Sequence, residues 1–222
     1  MILIKELVDD LFTDENNLYF SCFEEEGENT RYFSYNESVY EEIGVDKYFM
    51  ARYGENYNKI IPYFGHKPTS RSYDKEGSMF VCFYQESKIY KFDIRGNLVR
   101  IYSDFSNIDT IYDIAVYDNS IWCTFPTSHT IKKFSLTNGR EELSISEFSI
   151  EHNRGTIFCY PERILIYDDK MYVVDMGNKR ICIIDLNENS INDYIVLPES
   201  ITGYERLRKM EFVLLDSGLY LL

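Results

Sequence analysis

Tyr167-Asp168-Asp169-Lys170-Met171-Tyr172-Val173-Val174-Asp175 reads as a strand, a polar turn and a second strand that opens on an apolar–aromatic pair. The same pattern returns in Tyr117-Asp118-Asn119-Ser120-Ile121-Trp122-Cys123-Thr124 and in Leu215-Asp216-Ser217-Gly218-Leu219-Tyr220-Leu221-Leu222. Thr13-Asp14-Glu15-Asn16-Asn17-Leu18-Tyr19-Phe20 repeats it more loosely, and a copy from Tyr73-Asp74 to Met79-Phe80-Val81 carries extra turn residues. A supersecondary unit that recurs along a chain marks an architecture built by stacking that unit.

The unit extends past the hairpin. Ten residues separate Met79 from Ile89, Ile121 from Ile131 and Met171 from Ile181, and each time a third apolar strand begins there. Turns follow at Arg95-Gly96-Asn97, Thr137-Asn138-Gly139 and Asn187-Glu188-Asn189, rich in the residues that accept positive φ. A more polar fourth strand comes next: Leu98-Val99-Arg100-Ile101-Tyr102, Glu142-Leu143-Ser144-Ile145 and Tyr194-Ile195-Val196-Leu197. Four antiparallel strands per unit, with spacings of 42 (79 to 121), 50 (121 to 171) and 48 (171 to 219), describe the blades of an all-β β-propeller.

Met171-Tyr172-Val173-Val174-Asp175-Met176-Gly177-Asn178-Lys179-Arg180-Ile181-Cys182-Ile183-Ile184-Asp185 resembles the NHL-type propeller repeat. That family shows an apolar-Tyr-Val-x-Asp strand, then Gly-Asn-x-Arg-Ile, then an apolar strand ending in Asp. Two other units keep the skeleton but read Thr127-Ser128-His129-Thr130 and Gln85-Glu86-Ser87-Lys88 at the Gly-Asn-x-Arg position. The resemblance implies a propeller and no particular activity.

Residues 1–66 are less regular. Leu18-Tyr19-Phe20-Ser21-Cys22-Phe23 and Arg31-Tyr32-Phe33-Ser34-Tyr35 fit second and third strands, joined by the acidic stretch Glu24-Glu25-Glu26-Gly27-Glu28-Asn29. The 61 residues from Leu18 to Met79 exceed one blade and fall short of two. The irregular segment at about 37–70 is therefore either an insertion or a reduced blade with strands at 48–53 and 59–64. Five blades are expected in a single domain over 1–222, six being the alternative. The chain stops inside what reads as the second strand of a blade, leaving an edge that invites foreign pairing. Ile2-Leu3-Ile4-Lys5-Glu6-Leu7 is expected to pair beside 219–222 and close the ring; the alternative is closure by dimerisation, so the protein is read as monomer or dimer.

Composition agrees with this reading. Of 222 residues, 45% are hydrophobic and 16% aromatic, with 20 Tyr and 15 Phe, enough for a folded core with a bias toward strands. The net charge of −14 repels phosphate backbones and anionic membranes, so neither nucleic acid nor membrane is expected as a partner, whereas a basic protein is compatible. The five cysteines form no CxxC pair, and Cys22, Cys82, Cys123 and Cys182 sit in strand-like runs as small apolar residues, which points to a reducing, cytoplasmic setting. The first 20 residues lack the apolar core of a signal peptide.

The chemistry is less legible. His66, His129 and His152 have no metal-ligand spacing, and no Walker loop, GxGxxG or GxSxG elbow occurs. No metal, cofactor or catalytic set is expected. The repeated Asp14, Asp74, Asp118, Asp168 and Asp216 suit turn formation, and Tyr19, Phe80, Trp122, Tyr172 and Tyr220 suit packing between blades. Loops leading into the innermost strands rim one face, and binding residues are expected there: Tyr112 and Asp113, then Tyr160, Glu162 and Arg163, then Arg206. His129, Asn178 and Arg180, in loops between second and third strands, are expected on the same rim. The reading is a non-catalytic interaction module that recognises a protein partner through rim loops. A propeller enzyme of lactonase, lyase or hydrolase type with a site in the central channel is one alternative, and small-ligand or glycan binding is another.

Overall fold

Alternating side chains and Asp- or Gly-bearing turns produce the expected hairpins in the computed structural model, which describes residues 1–5, 7–23, 30–36, 39–63, 68–84, 86–103, 105, 109–146, 157–188 and 190–222. Among these residues, twenty strands form five four-stranded antiparallel sheets, the blades of a five-bladed β-propeller. The first blade holds β2 (Val8–Thr13), β3 (Leu18–Phe23), β4 (Thr30–Asn36) and β5 (Val39–Ile43). The second holds β6 (Ser70–Tyr73), β7 (Met79–Phe83), β8 (Lys88–Phe92) and β9 (Leu98–Tyr102). The third holds β10 (Ile114–Tyr117), β11 (Ser120–Phe125), β12 (Thr130–Ser135) and β13 (Glu141–Ile145). The fourth holds β14 (Pro161–Tyr167), β15 (Lys170–Asp175), β16 (Arg180–Asp185) and β17 (Ile191–Val196). In the fifth, β18 (Ile201–Leu207), β19 (Met210–Leu215) and β20 (Gly218–Leu221) are joined by β1 (Ile2–Lys5). The chain divides into two compact units, residues 1–57 with 199–222 and residues 58–198.

The N-terminal strand completes the last blade as expected: Ile2 pairs with Leu221, Leu3 with Tyr220 and Lys5 with Leu219. The register of that blade differs from the sequence reading. Leu215 to Leu222 turn from the second strand into the third, not from the first into the second. The hairpin equivalent to 167–170 is Leu207-Arg208-Lys209-Met210, so the repeat there is 40 residues (170 to 210). Its turn has no Asp; Arg208 itself takes a left-handed φ of 58°, and the sequence signature is lost.

The turn aspartates work by two routes. Asp14 Oδ1 accepts the N–H groups of Asn16 and Asn17, both at 2.7 Å, and Asp74 Oδ1 accepts those of Glu76 and Ser78 at 3.1 and 2.8 Å. Asp118 and Asp168 instead occupy the left-handed region, at φ 54° and 53°. The acidic stretch 24–29, Gln85 and Asn189 lie outside the described residues.

Residues 45–63 form no blade. Val45–Tyr53 is a helix (α1), followed by a short helix Tyr57–Ile60 (α2) and a 3₁₀ turn Ile61–Tyr63. The reduced-blade alternative fails because Tyr48, Arg52 and Tyr53 recur at helical spacing and are buried together. The Arg52 guanidinium forms a buried ion pair with Asp10 of β2 and lies over the Phe12 ring at 5.1 Å. Gly54, at φ 77°, ends the helix with its N–H on Met50 O at 2.8 Å.

In the second unit the cores lie between successive blades. Phe80 and Cys82 pack with Ile114, Ile121 and Cys123. Trp122 packs with Phe158, Ile164, Met171 and Val173. Tyr19, in the first unit, stacks on Phe12 at 5.0 Å between ring centroids. The aromatic column is thus packing material at Tyr19, Phe80 and Trp122. Tyr220 leaves the column because its strand is a third strand. All five cysteines are free thiols, and Cys22, Cys82, Cys123 and Cys182 are buried. No helix among the described residues is long and apolar enough to cross a membrane.

Candidate functional site

The entry of each innermost strand carries the same irregularity, two residues facing one partner residue. In β14, Pro161 pairs with Asp175 and Arg163 with Val174, so Glu162 is inserted as a bulge. Ahead of β10, Tyr112 N–H donates to Thr124 O while Thr124 N–H donates to Asp113 O, each at 3.0 Å. Ahead of β6, Thr69 N–H donates to Cys82 O at 3.0 Å while Ser70 pairs with the same residue. The first unit repeats the device at Asp9 in β2 and Thr202 in β18. A bulge re-aims a side chain without ending the strand.

Within the second unit these entries are tied together by side chains. Asp113, 7% exposed, accepts Ile164 N–H on Oδ2 at 2.7 Å, and Ser70 Oγ accepts Ile114 N–H at 3.2 Å. Burial pushes the Asp113 carboxyl up, and Arg163, Ser70 and backbone N–H groups only partly offset it. Thr124 Oγ1 accepts Asp113 N–H and donates to Glu162 O, both at 2.9 Å. Arg163 Nη1 donates to Thr69 O at 3.2 Å and stands 4.0 Å from Asp113 Oδ1, and its guanidinium lies 5.2 Å over the Tyr112 ring. Tyr84 meets Tyr112 edge-on at 5.9 Å. Burial also raises the half-buried Glu162 carboxyl, against the opposing pull of Arg163.

His129 and Tyr160 join this rim. Tyr160 N–H donates to His129 Nδ1 at 3.0 Å, and their rings meet edge-on at 4.9 Å. Both residues are left-handed, at φ 56° and 54°.

Asn178 and Arg180 serve a different end. Asp175, fully buried, accepts Cys159 N–H at 2.6 Å on one oxygen, and Asn178 Nδ2 and Arg180 Nε, both at 2.8 Å, on the other. Arg180 Nη1 continues to Asp193 Oδ1 at 2.6 Å. A Cβ on Gly177 would stand 2.5 Å from Cys159 Sγ and 2.8 Å from Cys159 O. The Gly-Asn-x-Arg stretch thus clamps the entry loop of its own blade.

Arg206 is not at a strand entry. It sits inside β18 near the hairpin at its far end, where Arg206 Nη2 lies 3.1 Å from Glu211 Oε1. The misplaced register of the last blade is the cause. His66 and His152 lie outside the described residues. Sequence reading missed Thr69, Ser70, Tyr84, Thr124 and Asp175, whose bonds join residues up to 94 positions apart. Clefts of about 550 Å³, lined by Lys59, Tyr63 and Leu98 among others, and about 460 Å³, lined by Arg100, Phe105 and Arg140 among others, include none of the candidates.

No protein-family model matches the chain, and no curated protein matches it. Solved structures do. A streptogramin B lyase matches at 14% identity and TM-score 0.53, over 97% of this chain and 65% of that one. Virginiamycin B lyase from Staphylococcus aureus matches at 15% identity and TM-score 0.51, over 96% of this chain and 68% of that one. The WD40 β-propeller domain of Doa1 matches at 11% identity and TM-score 0.56, over 95% of this chain and 61% of that one. The chain spans about two thirds of the length of these proteins. Such likenesses establish the propeller fold alone, which hosts enzymes and interaction domains alike.

Proposed function

We propose that the chain is a non-catalytic propeller module that binds a protein partner through the strand-entry rim of its second unit. The observation that carries this reading is a preordered aromatic rim. Tyr84 and Tyr160 are each 45% exposed, yet Tyr84 is seated against Tyr112, and Tyr160 is bonded to and packed on His129. Arg163 adds a guanidinium over the Tyr112 ring. Tyr and Arg dominate the energetic centres of protein interfaces, and rings already held in place lose little entropy on binding. The net charge of −14 favours a basic partner, and the five free thiols support a cytoplasmic setting.

The test is a quantitative comparison of the proteins retained by the wild-type chain and by a Tyr84→Ala, Tyr160→Ala double variant with an unchanged melting curve. Selective loss of one retained protein, reproduced with both components purified, is the expected result. An identical retained set, or binding of the purified pair unaffected by the double variant, overturns the reading.

The second reading is a propeller enzyme. Two carboxyls raised by burial, Asp113 and Glu162, stand at neighbouring strand entries, and perturbed carboxyls gather at catalytic centres. Asp113 already accepts backbone N–H groups that hold β14 in place, which favours the binding module.

A further inference from the structure

Glu162 differs from every other candidate on the rim. Its backbone is fixed: it is the inserted residue of the β14 bulge, and its carbonyl accepts Thr124 Oγ1 at 2.9 Å. Its carboxylate is half-buried, yet no cation among the described residues lies within 4.0 Å of it. Arg163, its neighbour in sequence, is directed to Thr69 O, Asp113 and the Tyr112 ring. Tyr112 occupies the equivalent bulge position one blade earlier, and its N–H donates to the same Thr124 whose hydroxyl holds Glu162. The backbones that carry the Glu162 carboxylate and the Tyr112 ring are thus anchored on one residue, Thr124.

Resting on the rim as the binding face, we infer that Glu162 is the docking point for a cationic group of the ligand, an ammonium or guanidinium carried on an apolar stem. Burial without a contacting cation leaves a carboxylate poorly solvated, and an arriving cation restores what desolvation removed. Asp113 cannot play this part, since it is the more deeply buried and already accepts Ile164 N–H. The cation has two possible sources, a free alkyl amine or guanidine, or a Lys or Arg side chain of a protein.

The experiment is a titration of the full chain at pH 7 and low ionic strength with n-butylammonium, n-butylguanidine and a capped Gly-Gly-Arg-Gly-Gly peptide, followed by amide chemical shifts. It is repeated on Glu162→Gln and on Glu76→Gln, an exposed turn carboxylate. Saturable shifts at the β14 entry are expected, weakened at least about tenfold by Glu162→Gln and unchanged by Glu76→Gln. Saturation by the small cations assigns a free amine or guanidine, and saturation by the peptide alone assigns a basic protein segment. No saturable shift with any probe, or equal affinity in Glu162→Gln, overturns it. The partner-retention assay separates the two claims: a partner lost from the Tyr84, Tyr160 double variant but bound fully by Glu162→Gln removes this inference and leaves the rim reading standing.

Discussion

Two corners of the second unit, less than twenty residues apart in sequence, use carboxylates in opposite ways. Asp175 is fully buried and accepts Cys159 N–H, Asn178 and Arg180. Glu162 is half-buried, with its backbone pinned and its carboxylate contacting no cation among the described residues. The first arrangement satisfies a buried charge internally, and its motif is structural for that reason. The second leaves electrostatic capacity for something outside the chain. The motif-like stretch is thus committed to the fold, whereas Glu162, one of the strand-entry residues the sequence singles out, keeps its carboxylate free of any such clamp.

Breaking the first corner should cost most. Asp175→Ala leaves Arg180 Nε, Asn178 Nδ2 and Cys159 N–H without their shared acceptor while Arg180 keeps Asp193, and the expected loss is about 2–4 kcal/mol in denaturant unfolding. A loss under about 1 kcal/mol would mean that the clamp is ornamental. Gly177→Ala forces a Cβ against Cys159 and should cost about 1–3 kcal/mol. Adding Cys159→Ala should return only part of that, because the Cys159 carbonyl stays 2.8 Å from the new atom. Full recovery would assign the whole clash to the sulfur.

His129→Ala removes the acceptor of Tyr160 N–H and should cost about 1 kcal/mol. His129→Gln should recover part of it if the amide oxygen reaches the same N–H.

Glu162→Gln should shift stability least, within about 0.5 kcal/mol at neutral pH. The sign of its pH dependence sharpens the comparison. Burial holds the Glu162 carboxyl above its unfolded value, so the fold favours the protonated form. The stability this confers is present below the ordinary glutamate range and disappears as pH rises through the raised value. The melting temperature of Glu162→Gln relative to wild type should accordingly rise between pH 4 and pH 7. A flat difference would show that Glu162 is solvated like any surface carboxylate.

Much of the fold was legible because its determinants are local. Strand alternation has a period of two residues, the turn aspartates bond two to four residues on, and the ten-residue interval to the third strand spans one hairpin. The closing strand at 2–5 was legible because an unfinished blade exposes an edge that needs a partner. The last blade was misread where locality failed. Arg208 makes its turn by adopting positive φ, with no Asp or Gly to announce it. Arg206 was consequently assigned to the wrong end of its strand. Tyr48 and Arg52 lie at helical spacing in an aromatic-rich stretch that also suits strands, and the buried Asp10 that receives Arg52 is 42 residues away.

The sequence alone determined that this protein is built from repeated four-stranded hairpin units, because period-two patterning and turn chemistry act within a few residues. It also directed attention to the strand entries. Only the tertiary structure decided which entry residues are available. Asp113, Asn178 and Arg180 are committed to hydrogen bonds that hold entry loops and inner strands in place, whereas Glu162 is fixed by its backbone and open at its carboxylate. Whether a polar side chain is already satisfied depends on partners brought near by folding, and no local pattern in the chain encodes them.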